Sequence, residues 1–136
     1  MKTKTKGITR LYSADIFVSD LDRAIDFYVN TLGFEKRTDE PMDEQGYRWV
    51  EVVPKGSDVP LILAHDFGHW SPERVGGYTG LIFSVEDMSS TYENLKAKGV
   101  TFVSEPDPSP HGIFAEAQDP DGNTFVLHDS SQTQVR

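Results

Sequence analysis

"IFVSDLDRAIDFYVNTLGF" occupies residues 16–34, and "IFSVEDMSSTYENLKAKGV" occupies residues 82–100. The two stretches are equal in length. Each offers a short apolar strand, an acidic turn, a helix, a glycine and a new apolar residue. Ile16 and Phe17 match Ile82 and Phe83, and Gly33 matches Gly99. The match reads as an internal duplication with a period near 66 residues, longer than the repeats of solenoids. It predicts two similar modules rather than an array.

The helix signals are local. Asp20 can cap the first helix, and Asp22 suits the positive end of its dipole. Leu21, Ala24, Ile25, Tyr28 and Leu32 fall at helical spacing and form one apolar stripe. Gly33 supplies the stop. In the second module Asp87 can cap, Met88, Tyr92 and Leu95 form the stripe, and Gly99 stops the helix.

Strands follow each helix. In module one they are "FEKRTD", "YRWVEVV" and "PLILAH", separated by the turn-rich "EPMDEQG" and "PKGSDV". In module two they are "TFVSE", "IFAEAQ" and "TFVLHD". "DPDG" at 119–122 suits a type I turn, with Asp at the first position, Pro at the second and Gly at the fourth. Each half therefore reads βαβββ, an α+β pattern, with helices expected on one side of the sheets. The boundaries expected are a flexible tail over 1–7, one domain over 8–129 and a second tail over 130–136. Within the domain, module one covers about 8–65, a Gly- and Pro-marked linker 66–77, and module two about 78–129.

Composition narrows the function. The chain has 136 residues, enough for one domain with a core. It has no cysteine, so disulfides, thiolate metal sites and cysteine nucleophiles are excluded. Net charge is -9, and the first ten residues hold four basic groups and no acid, so the remainder is more acidic still. That field disfavours nucleic acid and anionic membranes and suits a cationic small molecule. No apolar run is long enough for a bilayer, and no apolar segment follows the basic "MKTKTKG", so a cytoplasmic location is expected.

"FVSDLDRAIDFYVNTLGF" followed by "DPDGNTFVL" resembles the vicinal oxygen chelate superfamily, which contains glyoxalase I, extradiol dioxygenases, fosfomycin-resistance enzymes and bleomycin-resistance proteins. The resemblance spans about residues 8 to 129. Its pairing of V-x-D-L-x-x-A-x-x-F-Y with D-P-D-G is specific to the superfamily, not to a reaction. It implies two βαβββ modules forming a curled mixed sheet around a cavity, and a homodimer. It also implies, in the metal-dependent members, one His or Glu ligand on each of four strands. Carried over, those positions are Ser13, Ile62, Gly80 and Val126. Serine, isoleucine, glycine and valine do not make a divalent-metal site. No cofactor is therefore expected, and a metal only at a displaced site.

Several polar residues remain as candidates. Period-two alternation puts His128 on the same side as Val126, and Asp15 on the same side as Ser13. Trp49 and Glu51 share a face of their strand, where Trp49 can stack on a planar ligand and Glu51 attract a cation. The expected ligand cavity is thus lined by Ser13, Asp15, Trp49, Glu51, Ile62, Gly80, Val126 and His128. Glu116 reads as a solvated acid, though a pairing with His128 stays open. Arg48 reads as the partner of a surface acid. His65 and His69 make H-x-x-x-H, but around a glycine and without helical pattern, so they read as loop histidines. Trp70 and His111 sit in loops that can flank a cavity.

These features favour a metal-free protein that binds a small cationic or aromatic molecule, such as an antibiotic. The alternative is a lyase, isomerase or dioxygenase of the same superfamily, with a displaced site built from His128, Asp15, His65 or Glu116, or with acid–base chemistry and no metal.

Overall fold

The computed structural model describes residues 3–131; residues 1–2 and 132–136, the extremes of the two expected tails, lie outside the described residues. Residues 3–13 form neither helix nor strand. Module one then runs β1 (Ala14–Phe17), α1 (Leu21–Ile25), a π-helical turn (Asp26–Thr31), β2 (Glu35–Pro41), β3 (Arg48–Val53) and β4 (Leu61–Ala64). A 3-10 turn at Pro72–Arg74 lies in the connection. Module two runs β5 (Gly77–Ser84), α2 (Met88–Ala97), β6 (Thr101–Ser109), β7 (Gly112–Gln118) and β8 (Asn123–Asp129).

Each module makes its own four-stranded mixed sheet, in the orders β1-β4-β3-β2 and β5-β8-β7-β6. The first strand of each pairs in parallel with the last, and the other pairings are antiparallel. The helix supplies the crossover that a parallel pair requires. Side chains alternate in β8, whereas all four residues of β4 are buried. Ile16, Val50, Val52, Leu61 and Leu63 of sheet one join Ala115, Ala117, Phe125 and Leu127 of sheet two in one buried core, with Leu21, Tyr28, Met88 and Leu95 from the helices. The helices join this core, and the opposite, open face of each sheet carries the alternate residues, of which Val53, Ile62 and Ala64 of sheet one are buried as well.

The helix starts follow the sequence. The Asp20 carboxylate accepts from Arg23 N (3.1 Å) and that of Asp87 from Ser90 N (3.2 Å), each satisfying an orphan donor of the first turn. The buried Asp129 carboxylate adds a second cap on α2, accepting from Met88 N at 2.8 Å. The Ser131 hydroxyl, aided by that backbone bond, holds the Asp129 carboxyl below its usual range.

The first helix departs from the expected α-helix. After Ile25 it widens into a π-turn, closed by a bond from Leu32 N to Phe27 O (2.9 Å). The sequence explains it. Gly33 comes thirteen residues after its cap Asp20, whereas Gly99 comes twelve after Asp87. The extra residue is absorbed by the wide turn. As a result Phe27 and Tyr28, neighbours in sequence, are both buried, while Ile25 and Leu32 of the expected stripe are half-buried. The same offset corrects the strand match. With the caps aligned, Ile16 corresponds to Phe83, not to Ile82: Ile16 and Phe83 pack on the core, and Ile82 lies on the open face.

A second departure is the length of β6, which continues through Pro106 and Pro108 to a tight hairpin at Ser109–Gly112. An edge strand with register shifts tolerates prolines that a central strand would not.

The modules are latched by the D-P-D-G turn. Gly122 N donates to Asp119 O (3.0 Å), which closes the turn. The buried Asp119 carboxylate accepts from Asp121 N, Asn123 N, Asn123 Nδ2 and, across the modules, from the Tyr28 hydroxyl (2.8 Å). Burial, reinforced by that carboxylate, raises the Tyr28 phenol far above its ordinary pKa, so it remains a donor. Asn123 Nδ2 also donates to Phe17 O (2.9 Å), and Arg23 pairs with Asp121 at 2.7 Å.

Candidate functional site

The open face of sheet one is built from alternate residues of three strands. Register places Asp15 of β1, Ile62 of β4 and Glu51 of β3 in one row. Ile62 is 1% exposed and floors the row, Asp15 is exposed, and Glu51 is half-buried. Two carboxylates therefore flank an apolar floor. Ser13 precedes β1 on the same side by alternation. Trp49 lies next to Glu51 on that face, and its indole Nε1–H donates to Glu51 Oε2 at 2.8 Å. The ring lies 6.0 Å from Phe67, tilted by 30°. The bond orients both the indole and the carboxylate, and the other Glu51 oxygen is left for a ligand.

The connection after β4 closes one end of this face. Both the His65 ring Nδ1–H (3.1 Å) and the Trp70 indole (2.9 Å) donate to Val18 O, and the two rings meet edge to face at 4.8 Å. His65 is thereby a structural pin, and His69 is exposed in the loop. Arg48 is held by Asp39, through two bonds of 3.1 and 2.8 Å, and by Asp22 at 2.9 Å.

The open face of sheet two repeats the layout with different chemistry. Ile82, Val126 and Glu116 form the row equivalent to Asp15, Ile62 and Glu51. The next row sets Ser84, His128 and Phe114 side by side. His128 stacks on Phe114 (centroids 4.6 Å apart) and donates from Nε2 to His111 O at 2.8 Å. Gly112 makes room for it: a Cβ there would fall 2.5 Å from His128 Nε2 and 2.8 Å from Asp129 O. Among the described residues no hydrogen bond or ion pair joins Glu116 to His128; Glu116 N instead donates to Ser104 Oγ. Gly80 sits in a bulge of β5, between the paired Tyr78 and Ile82, at φ +80°. That left-handed backbone favours glycine, which accounts for the residue at this position.

The positions to which the resemblance assigns metal ligands hold Ser13, Ile62, Gly80 and Val126, and among the described residues no group of three His, Asp or Glu side chains could hold a metal ion. The donor set does not fit a divalent ion. Sequence reasoning missed the Trp49–Glu51 bond, the His128–Phe114 stack and the role of Gly112, because each depends on cross-strand register or loop course. Gly112, at the start of β7, is the one signal of the close approach to His128 in the sequence.

A family model matches residues 10–127, that of the Glyoxalase/Bleomycin resistance protein/Dioxygenase superfamily. The chain belongs to this superfamily. Among solved structures it is similar to a superfamily member from Sphaerobacter thermophilus, at 39% identity and a TM-score of 0.79, covering 90% of this chain and 98% of the other. It is also similar to TnmS3, an antibiotic binding protein from Streptomyces sp. CB03234, at 34% identity and a TM-score of 0.78, covering 93% and 99%. A probable lactoylglutathione lyase of Synechocystis is 31% identical over 120 residues, which span 85% of this chain and 92% of the relative. Within this superfamily the fold is shared between binding proteins and enzymes, so the site has to decide between them.

Proposed function

We propose that this chain binds a small cationic or aromatic molecule, such as an antibiotic, on its open sheet faces without a metal. The observation that carries this reading is the Asp15–Ile62–Glu51 row beside Trp49. Two carboxylates attract a cation, and an oriented indole edged by Phe67 stacks on a ring. The likeness to an antibiotic binding protein supports the same class of ligand.

A second copy of the chain completes the cavity in this proposal. The outer edges of β1 and β5 have no partner strand among the described residues. Tyr78 and Ile82 beside the β5 edge are 64% and 57% exposed, and Ile8, Leu11 and Tyr12 ahead of β1 are exposed as well. Joining the β1 edge of one copy to the β5 edge of another would bring the acidic face of sheet one against the His128 face of sheet two.

Isothermal titration calorimetry with cationic glycopeptides and flat heterocycles tests the ligand class. A binder should be weakened at least tenfold, about 1.4 kcal/mol, by Glu51→Gln or Trp49→Ala. Failure of every compound to bind would reject this class. Lyase turnover of a thiol hemiacetal that disappears in His128→Ala would favour the enzyme reading. Light scattering should find a dimer that Ile82→Asp dissociates.

A further inference from the structure

A crevice of about 560 Å³ opens on the helix side of the molecule, between α2 and the end of module one. Of the open-face residues described above it touches Ser84 alone, and none of the Asp15–Ile62–Glu51 row or Trp49. Its floor is aromatic: Phe83 meets Phe34 and Phe125 edge to face, with centroids 5.4 Å apart in both pairs. Leu95 and Leu127, both buried, close it from behind. The rim is polar, with Ser90 and Asn94 from α2 and two lysines, Lys55 and Lys98.

The charge of this lining is unusual for the molecule. The chain carries 22 acidic residues and a net charge of -9, yet no Asp or Glu lines the crevice and two lysines do. Lys98 Nζ lies 3.5 Å from Thr31 O, too long to hold the ammonium firmly. The crevice volume falls in the range of small-molecule sites, and its make-up, an apolar interior with a few convergent polar groups, is that of such sites.

We propose that this crevice is a second binding site, which takes a small aromatic anion: a ring body seated on Phe34, Phe83 and Phe125, and a carboxylate or sulfonate held by Lys55 and Lys98. It selects the opposite charge from the acidic row of sheet one.

The test uses 1-anilinonaphthalene-8-sulfonate, whose fluorescence rises in an apolar site. One dye should bind per chain. The Lys55→Glu, Lys98→Glu double variant should weaken it at least tenfold, and Asn94→Trp, which fills the mouth, should do the same with circular dichroism unchanged. Glu51→Gln should leave dye binding as it is, so this result stands apart from the proposal for the open faces. 1-Naphthoate should displace the dye, and the neutral 1-naphthalenemethanol should not. Dye binding that survives the lysine double variant but is lost in Ile82→Asp places the dye on an open sheet face and overturns the proposal. Equal competition by the neutral alcohol overturns the preference for an anion.

Discussion

Module one and module two share a topology but differ at two levels. The first is the helix. Module one holds one more residue between its capping aspartate and its terminal glycine, and a π-turn takes it up, so Phe27 and Tyr28 both turn inward. Module two keeps a regular helix, with Met88 and Leu95 as its buried anchors. The second is the open face. The equivalent rows are Asp15–Ile62–Glu51 and Ile82–Val126–Glu116, so one carboxylate is replaced by an exposed isoleucine. The difference teaches a division of labour: sheet one presents charge and an indole, whereas sheet two presents apolar surface and a histidine.

The largest effect is expected where the modules join. Asp119→Ala removes an acceptor of four hydrogen bonds and leaves the Tyr28 hydroxyl and the Asn123 amide short of a partner inside the core. Urea denaturation should show a loss of about 3–5 kcal/mol, with the modules still melting together. A cost under about 1 kcal/mol would mean that apolar packing alone joins them. Deleting Asn30 would give module one the helix spacing of module two. It should cost about 2–3 kcal/mol, because Phe34 would lose its seat against Tyr28 and Phe83. A neutral deletion would show that the π-turn is dispensable to the core.

Two glycines of module two share a positive φ, +118° at Gly112 and +80° at Gly80, and differ in the space around them. Gly112→Ala meets both the His128 ring and the Asp129 carbonyl and should cost about 1–3 kcal/mol, while shifting His128 off Phe114 in NMR spectra. Gly80→Ala has free space and only the left-handed backbone to oppose it, so it should cost less, about 1 kcal/mol. Equal costs would remove the claim that Gly112 seats the histidine.

The smallest effect is a pH dependence in module one. The Arg48 guanidinium bonds hold the Asp39 carboxyl below its usual range. A carboxyl lowered in the folded state stabilises the fold above its unfolded pKa, and that contribution fades as pH falls through the folded value. Asp39→Asn should therefore flatten the stability profile below about pH 4 and cost under about 1 kcal/mol at neutral pH, as suits a partly exposed pair. An unchanged acid limb would assign it to other carboxylates.

Much of the fold is legible because its signals are local. Asp20 and Asp87 cap where the side chain meets the next turn, the D-P-D-G residues each suit their place in a tight turn, and the alternation in β8 separates Phe125 and Leu127 from Val126 and His128. The duplication is legible too, but not its register. The spacing between equivalent residues is 67 at Asp20 and Asp87, 66 at Gly33 and Gly99, 65 at Glu51 and Glu116, and 64 at Ile62 and Val126. A fixed period aligns the helix ends and inverts the first strand. The candidate site was readable as residue types on one face of a strand. Its working geometry was not, since the Trp49–Glu51 bond and the His128–Phe114 stack depend on side-chain rotamers and on neighbours brought in by other strands. The helix-side crevice was invisible for the same reason: Lys55 and Lys98 come to line one crevice only after both modules have folded.

The edges of β1 and β5, which have no partner strand among the described residues, bear on how copies of this protein meet. A bare sheet edge is a template for any strand that meets it, and here it lies beside exposed Tyr78 and Ile82. The strong negative charge holds copies apart at a distance, and salt weakens that repulsion. If the edges pair as proposed, dilution is the harshest stress for the molecule and crowding a mild one, and its melting temperature should climb with protein concentration.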